Sequence, residues 1–438
     1  CYDVTTRTRP WEISVFGDIG SFALADVAGD ARPEVLWGDG QGWEVHGVDV
    51  RTRLEVWAIQ PGSGGIAGIA VGDLDGDGHP EVATASRGNS AGPGSVVVSD
   101  AVTQQSEWTN PMIYGATVAV AVGDVDDDGV DELVVLALGG TVPWYYGGSL
   151  SVFDHATGAL RWRAPAAGIG NVSPNGLAIG DADGDGDSDI VVGGGSSPAC
   201  LLVFSGATGA LLHDWWPALH PIQRVVILPG TGSQRVLVRT STGLARMDGA
   251  TGAVLWQSPL IIAAGVPNLV AGDVTGDGIC DAVTTGDGVY LFDGATGLMH
   301  DPERVEPSET LTLADLSGDG RLDIVLGSAI GITVLDGPDR AVLRRLDRLA
   351  AYPRALSVRD VSGDGVAEIV YAGSDDAVHV IRSSTGSELW RSGFVGAALG
   401  GNNALHVDDR DGDGDVEIHV GYDNGVVRIV GALVFTNG

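Results

Sequence analysis

The sequence predicts an all-β fold in which one four-stranded antiparallel unit repeats along the whole chain. Three observations carry this expectation. A nine-residue acidic loop recurs, with first positions at Asp26, Asp73, Asp124, Asp181, Asp273, Asp315, Asp360 and Asp409. The steps between them are 47, 51, 57, 92, 42, 45 and 49 residues, and the longest is close to two ordinary steps. Each loop joins two short apolar runs, and a second, glycine-containing polar turn follows later in most units. Periods of roughly 20–50 residues mark repeat architectures, and four short strands in a unit of this length make a propeller blade. The expected fold is therefore a single β-propeller over residues 1–438, with eight or nine blades and an acidic loop between the first and second strands of each.

The stretch Gly72–Glu81 shows the chemistry most fully. It reads Gly-Asp-Leu-Asp-Gly-Asp-Gly-His-Pro-Glu, with carboxylates Asp73, Asp75, Asp77 and Glu81 at positions 1, 3, 5 and 9. A hard cation such as Ca²⁺ takes six to eight oxygen ligands around one point. Alternate side chains on a tightly curled backbone point inward, the glycines permit the curl, and position 7 (His79) offers its carbonyl. The closing carboxylate supplies two oxygens. The run Val82-Ala83-Thr84-Ala85 follows at once as a strand, so the loop lies in a sheet and not between two helices.

Taken in order, nine units begin near residues 20, 67, 117, 175, 223, 267, 310, 355 and 403. In the second, Ile69–Gly72 enters the loop, another strand leaves it, Ser95–Val98 forms a third, and a polar turn leads to a fourth. That turn recurs as Asp154–Gly158 before Trp162, Ser205–Gly209 before Trp215, Asp248–Gly252 before Trp256, Asp293–Gly297, and Ser383–Gly386 before Trp390. Its glycine supplies a positive φ and its Asp or Ser bonds the turn backbone. The fifth unit, Leu228–Gln234 followed by the strand Arg235–Arg239, has lost every carboxylate and keeps the fold without the ion. Arg340–Leu349 belongs to an outer strand. The last unit, Leu405–Gly438, is short and ends in Val426–Phe435, for which Trp11–Phe16 is the natural partner in closing a ring. An open array whose terminal strand pairs with a neighbouring subunit is the alternative.

Composition agrees. The 68 glycines and 44% apolar residues suit many short strands and tight turns. No apolar run approaches the length of a transmembrane helix, no signal peptide is visible, and Cys1 in first place suggests a processed chain. The formal charge of −34 is largely a property of the loops, since twenty-eight of the 58 acidic residues stand at position 1, 3, 5 or 9. Eight divalent ions would leave about −18, which argues against nucleic acid or an anionic membrane as partner. All 24 basic residues are arginine. Cys1, Cys200 and Cys280 form no disulfide framework. Buried or unpaired thiols are the expectation, with a lipid anchor on Cys1 as the alternative.

The loops and their context resemble the FG-GAP/VCBS family of calcium-loop propeller blades, as in integrin α-subunits and bacterial surface proteins. The turn-plus-Trp register is similar to quinoprotein-type blades, in which the Trp docks one blade on the next. The family resemblance spans essentially the whole chain and is closest at Asp73–Glu81, Asp124–Glu132, Asp181–Asp189 and Asp409–Glu417. It implies calcium ligands at Asp73, Asp75, Asp77 and Glu81; Asp124, Asp126, Asp128 and Glu132; Asp181, Asp183, Asp185 and Asp189; and Asp409, Asp411, Asp413 and Glu417. Position 7 in these loops is His79, Val130, Asp187 and Asp415. Three loops carry a hydroxyl at position 3: Asp273, Thr275, Asp277 and Asp281 with Ile279; Asp315, Ser317, Asp319 and Asp323 with Arg321; and Asp360, Ser362, Asp364 and Glu368 with Val366. Those sites are weaker. Asp26, Asp30 and Glu34 form a loop in which Ala28 removes the third ligand. Seven or eight Ca²⁺ ions are expected, and sites of this class fill where calcium is millimolar, outside the cytoplasm or at the cell surface.

The connection between second and third strands is long in three consecutive units, at 86–94, 138–148 and 193–199, and tight in the later ones. Strand order puts these connections opposite the acidic loops, so that Arg87, Asn89, Trp144, Tyr145 and Tyr146 form one patch. Exposed aromatics with an amide and an arginine suit a glycan or protein ligand. The alternative is packing of the loops on themselves or on a neighbouring copy. No catalytic residue is assigned: the nine histidines lack metal-ligand spacing, and no nucleophile elbow, phosphate loop or Cys–His arrangement occurs. The function expected is a secreted or surface-displayed, non-catalytic scaffold for adhesion or recognition. A structural subunit of an extracellular assembly or filament is the first alternative. A rhamnogalacturonan-type polysaccharide lyase, whose propeller has similar loops, is the second.

Overall fold

The computed structural model describes residues 19–430 except 29–33, 40–43, 50–53, 62–64, 78, 87–93, 114–115, 139–146, 155–156, 168, 170–175, 195–199, 216–220, 229–231, 233–235, 241–242, 259–268, 286–287, 301–307, 348, 393–404, 409–415 and 422–426. Among the described residues the secondary structure is entirely β. It forms nine antiparallel sheets of sequence-consecutive strands, seven with four strands and two with three. The fold is of the β-propeller class. The second blade is representative: Ile66–Gly72, Glu81–Ser86, Gly94–Asp100 and Ser106–Ile113. In the sixth blade the fourth strand shrinks to one bridge between Phe292 and Met299. The ninth has Leu405–Asp408, Glu417–Gly421 and Val427–Val430.

Strand position within a blade explains the sequence pattern. The second strands Glu81–Ser86, Asp189–Gly194, Val236–Thr240, Asp281–Thr285, Asp323–Ser328 and Glu368–Gly373 are buried at every residue. A strand covered on both faces has no polar face, so it reads as a continuous apolar run. The fourth strands expose most of their residues and bury one large side chain, Trp57, Trp256, Leu346 or Trp390.

Two compact units meet in sequence at Gln257 and Ser258. In each, the core lies between consecutive blades. In the first unit, Leu36, Val45 and Trp57 pack with Ile66 and Val82 of the next blade. Leu74, Ala83 and Val96 pack with Leu133, Val135 and Phe153, and Val134, Leu136 and Leu150 pack with Ile190, Val192 and Leu202. In the second unit, Val283 and Leu291 meet Leu311 and Leu326, and Val325 and Ile332 meet Leu356 and Tyr371. No blade closes a core alone, which is the economy of repeat proteins.

The recurrent polar turn is a docking platform. Gly209 has φ 69°, and a Cβ there would lie 2.4 Å from the ring of Trp162 in the preceding blade. The Trp162 indole N–H donates to the carbonyl of Gly206 at 2.7 Å. Gly158 meets Trp108 in the same way, and Gln104, also at positive φ, donates to the carbonyl of Val56. In the fourth blade His213 holds the register of the docking Trp, and the Trp215 expected from sequence packs in the cluster shared with the fifth blade. His213 stands opposite Val203, lies against Gly252, and its Nε2–H donates to the carbonyl of Ala250 at 2.7 Å. The outer strand expected within Arg340–Leu349 is Val342–Asp347, and the strand expected from Arg235 begins at Val236. Trp11–Phe16, Cys1, Trp216 and most of Val426–Phe435 lie outside the described residues. Neither Cys200, which is buried, nor Cys280 is in a disulfide.

Gly209→Ala should destabilise the protein more than Gly232→Ala. Both glycines have positive φ, but only Gly209 also meets a packed ring, whereas nothing lies within 4 Å of a Cβ at Gly232. The backbone term is about 1–2 kcal/mol in each, and overpacking against Trp162 adds about 1–3 kcal/mol. Chemical denaturation of the two variants measures the difference.

Candidate metal centre

One register closes every acidic loop. Gly72 pairs with Glu81, Gly123 with Glu132, Gly180 with Asp189, and Gly272 with Asp281. Ala25 pairs likewise with Glu34, Ala314 with Asp323, Arg359 with Glu368, and Asp408 with Glu417. Position 9 is thus the first residue of the buried second strand. Its carboxylate is driven inward, and in Glu34, Glu81, Glu132, Asp281 and Glu368 exposure is 0%.

A buried carboxylate needs donors, and the loop backbone supplies them. One oxygen of Glu34 accepts from the amides of Val27 (2.8 Å) and Ala28 (3.0 Å). Asp281 accepts from Val274 (3.0 Å) and Thr275 (2.8 Å), and Asp323 from Leu316 and Ser317, both 2.8 Å. Asp189 and Glu368 bond their loops in the same way, while Glu81 and Glu132 take Leu74 and Val125. Sequence reading gave position 9 only a ligand's role. In the structure it is also the peg on which the loop hangs.

The earlier positions curl the loop. Position 1 accepts from the amide of position 4: Asp73 from Gly76 at 2.8 Å, Asp181 from Gly184 at 2.6 Å. Position 5 accepts from the amide of position 7, as Asp77 from His79, Asp128 from Val130, Asp185 from Asp187, Asp277 from Ile279, Asp319 from Arg321 and Asp364 from Val366. What converges is positions 1, 3 and 9. In Asp73, Asp75 and Glu81, in Asp124, Asp126 and Glu132, and in Asp181, Asp183 and Asp189, one oxygen from each residue lies within 4.8 Å of the others. Position 5 is outside these groups. At Ser362 the hydroxyl takes the third place and donates to Glu368 Oε1 at 3.2 Å.

These groups fit a hard divalent cation. The donors are all carboxylate oxygens, and two buried ones, Glu81 Oε1 and Asp126 Oδ1, have no hydrogen-bond donor. Burial, with the charges of Asp75, Glu107 and Asp73, pushes the Glu81 carboxyl up to about 8, against the pull of the Leu74 amide. Burial and the charge of Asp183 push Asp189 up to about 7. Clusters that hold protons so strongly are short of positive charge.

Three charged neighbours of the loops escaped the sequence reading. Glu107 joins Glu81 and Asp100 in a further group within 4.8 Å. Arg161 contacts Asp126 and Glu132. Asp131 lies against the preceding loop, so that a Cβ at Gly72 would be 2.7 Å from its Oδ2. The first two each precede a docking Trp, and that register was their visible signal. Asp30, Asp409, Asp411, Asp413 and Asp415 lie outside the described residues, as do Arg87, Asn89, Trp144, Tyr145 and Tyr146. Among the histidines, His379 is buried between Asp375 (3.1 Å) and Glu388 (2.9 Å) and stacked on Tyr371. His46 stands between Glu44 and Glu55 against Trp37 in the same manner.

The FG-GAP repeat family matches residues 66–99, from the strand before the Asp73–Glu81 loop to the end of the third strand. This blade resembles an FG-GAP repeat. Its closing register pair recurs around the other acidic loops. The chain is similar in fold to BamB from Moraxella catarrhalis, at 15% identity over 98% of this chain and 99% of that one, with a TM-score of 0.51. It is also similar to the rhamnogalacturonan lyase YesW (13% identity, 97% and 91% covered, TM-score 0.59). A Bacillus licheniformis rhamnogalacturonan lyase, PL11, aligns at 12% identity over 92% and 80%, with a TM-score of 0.56. At these identities the likeness is one of fold. No curated protein matches the sequence.

Stability of the ion-free protein should fall as pH rises from about 4.5 to about 8. Glu81 ordinarily titrates at 4.5 and Asp189 at 3.8, whereas the folded values are about 8 and about 7. Between those limits the folded state holds protons that the unfolded chain has released, so raising the pH favours unfolding. Calcium bound at these carboxylates would displace the protons, and its stabilising effect should then grow across the same window. Melting with chelator and with calcium at pH 5 and pH 8 checks both signs. Separately, Asp281→Ala should destabilise even the chelated protein, by about 1–3 kcal/mol, because it strands buried loop amides. Asp277→Ala, at an exposed position, should cost the chelated protein little.

Proposed function

We propose that the chain is a calcium-stabilised, extracellular or cell-surface propeller that serves as a non-catalytic scaffold for adhesion or recognition. The observation that carries this reading is the repeated convergence of positions 1, 3 and 9 on a buried carboxylate, with Glu81 Oε1 lacking any donor. Cation binding there converts to folding stability, because the unfolded chain does not present the ligands together. Loops of this kind need millimolar calcium, and FG-GAP repeats are typical of extracellular and cell-surface proteins. Seven or eight ions per chain follow from the loop count.

The ligand face is the one opposite the loops. The second strands start at the acidic loops and end at Ser86, Leu138 and Gly194, in three consecutive blades. The connections 87–93, 139–146 and 195–199 depart from those far ends, and they carry Arg87, Asn89, Trp144, Tyr145 and Tyr146. A glycan stacked on the aromatics, or a protein anchored there, is the occupant we propose.

The test has two arms. Elemental analysis and melting with excess chelator should return seven or eight calcium ions and a large loss of thermal stability; no metal and no change would remove the calcium reading. Retention on a glycan array or a surface-protein panel should be lost in Trp144→Ala with the melting temperature unchanged. Release of unsaturated sugar ends that absorb in the near ultraviolet would replace recognition with lyase chemistry, and calcium-dependent filaments would replace it with assembly.

A further inference from the structure

In two consecutive blades the residue just before the docking Trp of the fourth strand is a charged side chain that meets the acidic loop of its own blade. The docking residues share one register: Trp57 stands opposite Gly47, Trp108 opposite Val98, Trp162 opposite Val152 and His213 opposite Val203, with a register shift directly N-terminal to each. Trp256, Arg344 and Trp390 hold the same place opposite Arg246, Val334 and Val380. The preceding residue is Val56 in the first blade and leucine (Leu212, Leu255, Leu343, Leu389) in four others. Two consecutive blades depart from this, in opposite senses, with Glu107 and Arg161.

Arg161 reaches into its loop with both terminal nitrogens. Nη2 is 2.5 Å from Asp126 Oδ2, and Nη1 is 2.7 Å from Glu132 Oε1, a carboxylate with 0% exposure. The other oxygen of Glu132 accepts from Val125, and the two oxygens of Asp124 accept from Asp128 and Gly129. Asp126 Oδ1 is the one buried oxygen of these three carboxylates without a hydrogen-bond partner. A guanidinium is permanently charged and matches two carboxylates at once, and it is already part of the chain. In the neighbouring blade Glu107 has the opposite effect. It joins Glu81 and Asp100 beside the group Asp73, Asp75 and Glu81, so the loop has a further carboxylate and the stronger demand for a cation.

We infer that this outer-strand position selects the cation of each loop, and that Arg161 takes the seat in Asp124–Glu132 that a divalent ion takes in Asp73–Glu81 and Asp181–Asp189. The inference rests on the calcium reading of the loops. It makes Asp124–Glu132 the loop that survives calcium depletion.

Calcium stoichiometry of the full chain, by equilibrium dialysis with elemental analysis, tests it, and with Asp124–Glu132 taken by Arg161 the wild type should bind seven ions and not eight. Arg161→Leu installs the residue that four other blades carry, and it should bind one calcium more than the wild type. Leu212→Arg grafts the arginine beside Asp181–Asp189 and should bind one fewer. Equal counts in wild type and either folded variant would overturn the inference while leaving calcium binding intact. A wild type that binds no calcium would instead overturn the reading on which it rests. Should Arg161→Leu fail to fold, Leu212→Arg carries the same decision alone.

Discussion

A carboxylate fixed at the start of a strand that is covered on both faces has nowhere to go but inward. Its charge then has to be met by whatever lies at the base of the hairpin. In this protein that base holds the amides of loop positions 2 and 3, which is why the loop curls so tightly over its own closing pair. The curl draws positions 1 and 3 onto the same spot, and carboxylates gathered there repel one another until a cation arrives. Fold and ion demand therefore have one origin. The register pair comes first, and the binding site is its consequence.

Blade-to-blade packing depends on the same geometry. The apolar residue at loop position 2, such as Leu74, Val125 or Val274, is buried in the cluster between blades. A loop that loses its curl would withdraw that side chain from the interface. An ion bound at the loop would in this way be coupled to the hydrophobic contacts that hold neighbouring blades together. The docking turn lies at the same end of the blade and leans on the acidic loop: the Gly206 amide donates to the Ser188 carbonyl at 3.1 Å and the Gly294 amide to Asp281 Oδ1 at 2.8 Å, while Trp162 on Gly209 and His213 on Gly252 dock the turn on the preceding blade.

Much of this was legible in the sequence because the repeat is written in residue types that have few other uses. Asp at alternate positions with glycine between them, a polar Gly turn 20 to 30 residues on, and an apolar run at each loop exit made the blade grammar and the residues of the loops readable. Three things were not legible, each because it depends on pairing across strands. That position 9 is a backbone acceptor needs the pairing of Gly72 with Glu81, which a linear pattern does not show. That His213 docks the fourth blade follows from its place opposite Val203, whereas the eye goes to Trp215 two residues later. Glu107 and Arg161 read as ordinary surface charges until the outer strand is laid beside the loop.

The fifth blade separates what the fold requires from what the ion requires. Its closing pair, Ile227 with Val236, has no acid, yet it closes a hairpin and leads into a second strand buried at every residue, like the others. Leu228 stands at position 1, where the other loops carry Asp, and is 2% exposed, so an apolar side chain is buried in place of the carboxylate. Hairpin length and a buried side chain thus suffice to build a blade. This blade has no acid at position 1, 3 or 9. A buried position-9 acid without a cation nearby leaves a charge that the loop amides only partly meet, and acids at positions 1 and 3 without position 9 have no third ligand. A blade that lacks all three together therefore keeps its hairpin without leaving a buried charge unmet.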